Sequence, residues 1–126
     1  MILVDSSVWI EYFNGNEKTI ILNTLIDMNS LCINDLILAE LLPSMNCRKE
    51  SALKELMLAI TKIPLAINWN AIISMQTQNL DKGLNKVGIA DLIIAQNVLD
   101  NNLELFTLDR HFKVMSELHG FRLFGS

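Results

Sequence analysis

The sequence predicts an α/β fold, a mainly parallel sheet with helices over both faces, and three observations carry that prediction. Short β-prone apolar runs recur along the chain, among them ILV at 2–4, LCI at 31–33 and LELFTL at 103–108. Longer windows with apolar residues at helical spacing separate them, and strands that alternate with helices pair in parallel because the crossover helix returns the chain to the same end of the sheet. The runs at 2–4 and 31–33 are also uninterrupted rather than alternating, as strands buried on both faces are.

Element by element, residues 2–4 form a strand that stops at Asp5-Ser6-Ser7. Ser6 or Ser7 begins a short helix through Trp9, Tyr12 and Phe13, and Asn14-Gly15-Asn16 stops it. Ile20, Ile21, Leu22, Leu25, Ile26 and Met28 give the window from Glu17 to Met28 a broad apolar helical face. After the strand Leu31 to Ile33, Asn34 or Asp35 caps a helix to about Leu42, with Pro43 as its expected end. Arg48 to Ala59 is a further helix, with Leu53, Leu56, Met57 and Ile60 at helical spacing. Pro64 turns residues 63–67 toward an extended segment. Asn68 to Leu80 is helical, and Gly83 lies in the break after it. Gly88 precedes a long apolar helix from Ile89 to Leu99, which Asp100-Asn101-Asn102 ends. Leu103 to Leu108 is a strand, Asp109 caps a helix to about Leu118, His119-Gly120 turns, and Phe121 to Phe124 forms a last strand. No repeat, low-complexity tract or linker interrupts the pattern, so residues 1–126 are expected to form one domain.

The bulk properties agree with an ordinary packed domain. Residues that are 51% hydrophobic against 19% charged exclude a disordered or heavily solvated chain. No apolar run approaches the roughly 18 residues of a membrane span, and MILVDSS lacks the basic start of a signal peptide, so a cytoplasmic protein with no membrane contact is expected. Cys32 and Cys47 show neither CxxC spacing nor a Cys/His set and are expected to be thiols. A formal charge of −4 argues against gripping long nucleic acid by bulk charge, yet suits a cluster of catalytic acids that is negative until metal fills it.

Four acids sit where such a cluster can form. Asp5 ends the first apolar strand and Asp109 ends the strand before RHFKVM, so both stand at the sheet edge where open α/β folds place their ligands. Each can equally be a helix N-cap. Glu40 lies inside LILAELL with little polar face around it, and Asp91 lies in GIADLIIA just after Gly88, where a first-turn acid also suits the helix dipole. Two carboxylates about 4 Å apart repel by roughly 4 kcal/mol at an effective dielectric of about 20. Convergence therefore calls for shared protons or a cation, and hard oxygen donors suit Mg²⁺ or Mn²⁺. His111 and His119 have no nearby ligating cysteine, and His111 reads as a surface or supporting residue.

The four acids and their surroundings resemble the PIN-domain ribonucleases, and more closely the VapC-type toxins of toxin–antitoxin pairs. VDSSVWIEYF is similar to the family's first motif, placing Asp5 as metal ligand with Ser7 in support; LILAELL carries Glu40 as the second acid. GIADLIIAQNV matches the third motif with Asp91, and LFTLDRHF the fourth with Thr107 and Asp109, although Thr107 can also be a plain strand residue. Asn34 stands where many relatives have Thr or Ser, and Gln96-Asn97 replace small residues. The resemblance implies a three-layer α/β/α sandwich and a Mg²⁺- or Mn²⁺-dependent endoribonuclease, with Asp5, Asp91, Asp109 and Glu40 as the metal and catalytic residues. In it, metal-activated water breaks the P–O3' bond of structured cellular RNA, leaving a 5'-phosphate and a 3'-hydroxyl. It also implies a homodimer and a cognate antitoxin that is a DNA-binding repressor.

Lys82, Lys86 and Arg110 are the basic residues placed to hold flanking phosphates, or are plain surface charges. Trp9, Tyr12 and Phe13 are either core or anchors for a partner, with the helix from Glu17 to Met28 as a second wall of that groove. Two other classes remain open: a catalytically silent PIN-like interaction protein, and a Mg²⁺-binding phospho-receiver. The receiver would want a strand-end acidic pair and a strand-end Lys, and the first strand offers Asp5 alone.

Overall fold

A computed structural model describes residues 1–125. Five parallel strands, β1 (Ile2–Val4), β2 (Leu31–Ile33), β3 (Thr61–Lys62), β4 (Glu104–Phe106) and β5 (Arg122–Leu123), form one sheet in the order β3-β2-β1-β4-β5. β1 is central, pairing Ile2 with Leu31 on one side and with Glu104 on the other. Leu3 and Val4 are wholly enclosed, which explains why this strand is apolar at every position. The edge strand β3 is short, polar and exposed, a form that discourages edge-to-edge pairing with another chain.

The helices fall into two groups. On one side α1 (Ser6–Phe13), α3 (Asp35–Arg48) and α4 (Ser51–Ala59) pack together; on the other, α5 (Trp69–Asp81), α6 (Ile89–Asp100) and α7 (His111–His119) do. The reversal of direction after β3 separates them, since a right-handed crossover running the opposite way along the sheet lands on its opposite face. The three-layer α/β/α sandwich is therefore the observed architecture. Among the described residues, no helix is long and apolar enough to cross a membrane.

Three expectations about boundaries are corrected. Pro43 does not end its helix: α3 runs through it to Arg48, and the stop is Lys49 in the left-handed region at φ 56°. A proline inside a helix costs about 3 kcal/mol, and the buried row Leu38, Leu41 and Met45 on either side offsets it. The next helix accordingly starts at Ser51, not Arg48. The window from Glu17 divides into a 3-10 turn, Glu17–Thr19, and α2 (Ile21–Asp27), which buries Leu22 and Leu25 but leaves Ile20 and Met28 outside.

The segment at 63–67 is non-helical, as expected, but past the Ile63 amide, which donates to the Ile33 carbonyl at 2.7 Å, the sheet does not hold it. Side chains from α6 hold it instead. Asn97 Nδ2 donates to the Pro64 carbonyl at 3.0 Å, and Gln96 Nε2 to that of Ala66 at 3.0 Å. Asn34, the N-cap of α3, donates through Nδ2 to Asn97 Oδ1 at 2.9 Å. The departures at Asn34 and Asn97 are thus bonded to each other. Asn97→Leu would leave a buried amide and a carbonyl unpaired, at about 1–3 kcal/mol each. Chemical denaturation is expected to show a loss of about 2–4 kcal/mol, and a loss below about 0.5 kcal/mol, the level of a neutral surface change, would mean that the network contributes nothing.

Candidate active site

From β1 the chain moves outward to β2 and β3, then crosses back to lay β4 on the other side of β1. Connections leaving β1 and β4 diverge at that point and open a crevice at the carboxyl ends of the two strands. Asp5 directly follows β1, and Thr107 and Asp109 follow β4. The Asp5 amide donates to the Phe106 carbonyl at 2.9 Å, which holds the two strand ends in step.

Two hydroxyls tie the crevice walls together. Ser7 Oγ and Thr107 Oγ1 both donate to Asp5 Oδ2, at 2.8 and 2.9 Å. In return, Ser7 Oγ accepts the Leu108 amide at 3.2 Å, and Thr107 Oγ1 accepts the Asp109 amide at 3.0 Å. Asp5 is buried, and these donors fix its Oδ2 while Oδ1 faces Ser6 Oγ at 3.4 Å. Asp109 Oδ1 accepts the His111 amide at 3.0 Å and so begins α7.

The other two acids arrive on helices. Asp91 lies in the first turn of α6 behind the Gly88 cap, and Glu40 projects from α3 at the crevice mouth, its Oε1 3.5 Å from Ser6 Oγ. Burial raises the Glu40 carboxyl above its ordinary pKa, and Asp5 and Asp91 raise it further, against a small opposing hydrogen bond from Ser6. Burial also raises Asp91, followed by Asp109 and Asp5, with His111 opposing. The four acids therefore act on one another through a common field. Donor atoms of Asp91, Asp109 and His111 all lie within 4.8 Å of one another.

These shifts have a signed consequence for stability. Both acids bind protons more tightly in the folded chain than in the unfolded one, so metal-free protein loses stability as pH rises from their ordinary values of 3.8 and 4.5 through the raised ones. Melting of metal-free protein is expected at higher temperature near those ordinary values than well above them. A divalent cation should remove that difference; an unchanged or opposite slope would show that neither burial nor repulsion raises these two carboxyls.

The remaining residues named from the sequence lie elsewhere. Trp9 is completely buried, so the partner-anchor alternative does not hold for it: its ring packs against Tyr12 and Phe13, each centroid 5.8 Å away, and presents nothing to a partner. Tyr12 and Phe13 are half-buried, and the Tyr12 hydroxyl donates to Asn23 Oδ1. A groove of about 340 Å³ beside them is lined by Ile10, Phe13, Glu40, Leu41, Met45 and Leu53, and so opens next to Glu40. Lys82, Lys86 and Arg110 are exposed, and no ion pair among the described residues engages them. His111 is the residue the sequence reading undervalued: its Nδ1 is 3.2 Å from Asp109 Oδ1. Its signal was position, since an acid that caps a helix brings the first side chain of that helix back beside itself.

The chain matches the family model described as "PIN domain" over residues 2–118. It is similar in structure to a chain of VapBC2 from Rickettsia felis, in a complex bound to a promoter DNA fragment, with 21% identity, TM-score 0.75, and 98% of this chain and 97% of that one covered. A chain of DNA-bound VapBC from Salmonella typhimurium gives 18% identity, TM-score 0.74, and coverage of 97% and 95%. PAE2754 from Pyrobaculum aerophilum gives 18% identity, TM-score 0.60, and coverage of 93% and 85%. Identities this low establish the shared fold alone. Comparison with curated protein sequences gives no match.

Proposed function

The chain belongs to the PIN-domain family, and on that premise we propose that residues 1–126 form one domain, the VapC-type toxin of a toxin–antitoxin pair. In this reading it is a cytoplasmic, metal-dependent endoribonuclease that acts as a homodimer. The observation that supports the reading most is the placing of acids at the crevice between β1 and β4, where ligand atoms of Asp91 and Asp109 lie within 4.8 Å of each other and Asp5 acts on both Glu40 and Asp91. Such a set is costly for stability and suited to catalysis, because two of its members are held above the ordinary carboxylate range by burial and by neighbouring acids.

The donor set fits a hard divalent cation, Mg²⁺ or Mn²⁺: it is rich in carboxylate oxygen, and no Lys or Arg forms an ion pair with it among the described residues. Asp5, Asp91 and Asp109 would hold the ion, with Glu40 at the rim as a further ligand or a hydrogen-bond acceptor for water. When bound, the ion supplies Lewis-acid stabilisation of phosphate oxygens and lowers the pKa of water. Ser7 and Thr107 keep Asp5 aimed, as supporting partners of ligands do. Lys82, Lys86 and Arg110 hold flanking phosphates. Water attacks phosphorus in line with the 3' oxygen, the P–O3' bond breaks, and the RNA ends carry a 5'-phosphate and a 3'-hydroxyl.

The matched VapBC structures are complexes bound to DNA, which supports a cognate antitoxin of the DNA-binding repressor type as partner here. The groove beside Glu40, with Phe13 in its wall, is where an antitoxin segment would lie and block the acids. Production of the chain alone is expected to stop bacterial growth, and Asp5→Asn, or co-production of the cognate antitoxin, to restore it. Unimpaired growth with folded wild-type protein accumulating would contradict the toxin reading.

A further inference from the structure

We infer that His111 Nδ1 is itself a ligand of the bound cation, so that the centre is a mixed carboxylate–imidazole site that prefers Mn²⁺ to Mg²⁺. This rests on the metal-dependent reading above and goes beyond it in the donor set. His111 Nδ1 is closed off from solvent and makes no hydrogen bond in the structure. It lies 3.2 Å from Asp109 Oδ1, but off the line that a hydrogen bond needs, and that oxygen already accepts the His111 amide at 3.0 Å. A ring that merely steadied Asp109 would donate to it. This one keeps an unbonded nitrogen within 4.8 Å of ligand oxygens of both Asp91 and Asp109.

The spacing suits ligands of one ion. Donor atoms about 2.1 Å from an octahedral cation lie about 3 Å apart when adjacent and about 4.2 Å apart when opposite. The Asp109–His111 pair at 3.2 Å matches an adjacent pair, and Asp91 falls within the 4.8 Å limit of both. Imidazole nitrogen binds first-row transition ions in preference to Mg²⁺, which favours oxygen donors and keeps its water.

The chain has two histidines. The other, His119, lies at the far end of α7 with its Nε2 2.7 Å from Asn79 Oδ1. Histidine nitrogen detected at the metal therefore reports on His111. Pulsed EPR of the full chain loaded with Mn²⁺ is expected to show nitrogen coupling, which changes from ¹⁴N to ¹⁵N when histidine alone is labelled and persists in His119→Ala. Calorimetry should show His111→Ala weakening Mn²⁺ by at least about 10-fold, the lower bound seen when even a ligand's supporting partner is lost, with Mg²⁺ weakened less than about 3-fold. Mn²⁺ bound without histidine coupling, or equal losses for both ions, would overturn the role of His111 while leaving the metal site standing. No Mn²⁺ binding by folded wild-type protein would overturn the site reading with it.

Discussion

Asp91→Asn is expected to lower RNA cleavage by about 10²–10³-fold, the equivalent of several kcal/mol of lost transition-state stabilisation, and at the same time to raise the melting temperature of metal-free protein. Both effects come from one charge. Asp91 is half-buried in the first turn of α6, where burial, Asp109 and Asp5 hold its carboxyl above the ordinary range. Removing the charge removes repulsion and desolvation, while the amide keeps nearly the same shape. Activity falls because a ligand is lost, and stability rises because the folded state no longer confines so much negative charge. Added Mn²⁺ should stabilise wild-type protein far more than the variant. Thermal melts with and without cation, beside a cleavage assay, check all three; a variant less stable than wild type without metal would show that Asp91 holds the fold together and that repulsion is minor.

Trp9→Ala should have the largest effect on folding, about 3–5 kcal/mol, a large part of the roughly 5–15 kcal/mol typical of a native domain. Trp9 is fully enclosed and packs on Tyr12 and Phe13 beneath α1. Its Nε1 has no hydrogen-bond partner among the described residues. Trp9→Phe therefore removes volume without orphaning an acceptor and should be much milder than Trp9→Ala. Denaturant titration separates this core role from that of a partner anchor: an anchor would lose binding while its stability stayed near wild type.

The parallel sheet and most of the helices were readable from pattern, because β1 and β2 are buried on both faces and their sequences show it at every residue. Asp5 and Asp109 were readable as strand-end acids for the same reason. Pro43 misled because its local preference competes with the buried Leu41 and Met45, which appear only when α3 has packed. What holds residues 63–67 was not legible, because the groups concerned, Gln96 and Asn97, lie about thirty positions later. Trp9 remained ambiguous from sequence because an aromatic on a short helix suits core or interface equally, and burial alone decides. The hydroxyl bridge from Ser7 and Thr107 to Asp5 depends on β1 and β4 lying side by side, a pairing of strands separated by about a hundred residues.

The most direct test is cleavage of total cellular RNA by purified, antitoxin-free protein with Mg²⁺ or Mn²⁺ and with EDTA, beside folded Asp5→Asn and Glu40→Gln. Discrete cuts bearing 5'-phosphates, present with cation and lost with EDTA and in both variants, are the predicted result. Cuts that persist in EDTA or in Asp5→Asn, or no cuts from folded, metal-loaded wild-type protein, would contradict a metal-dependent centre built on these four acids.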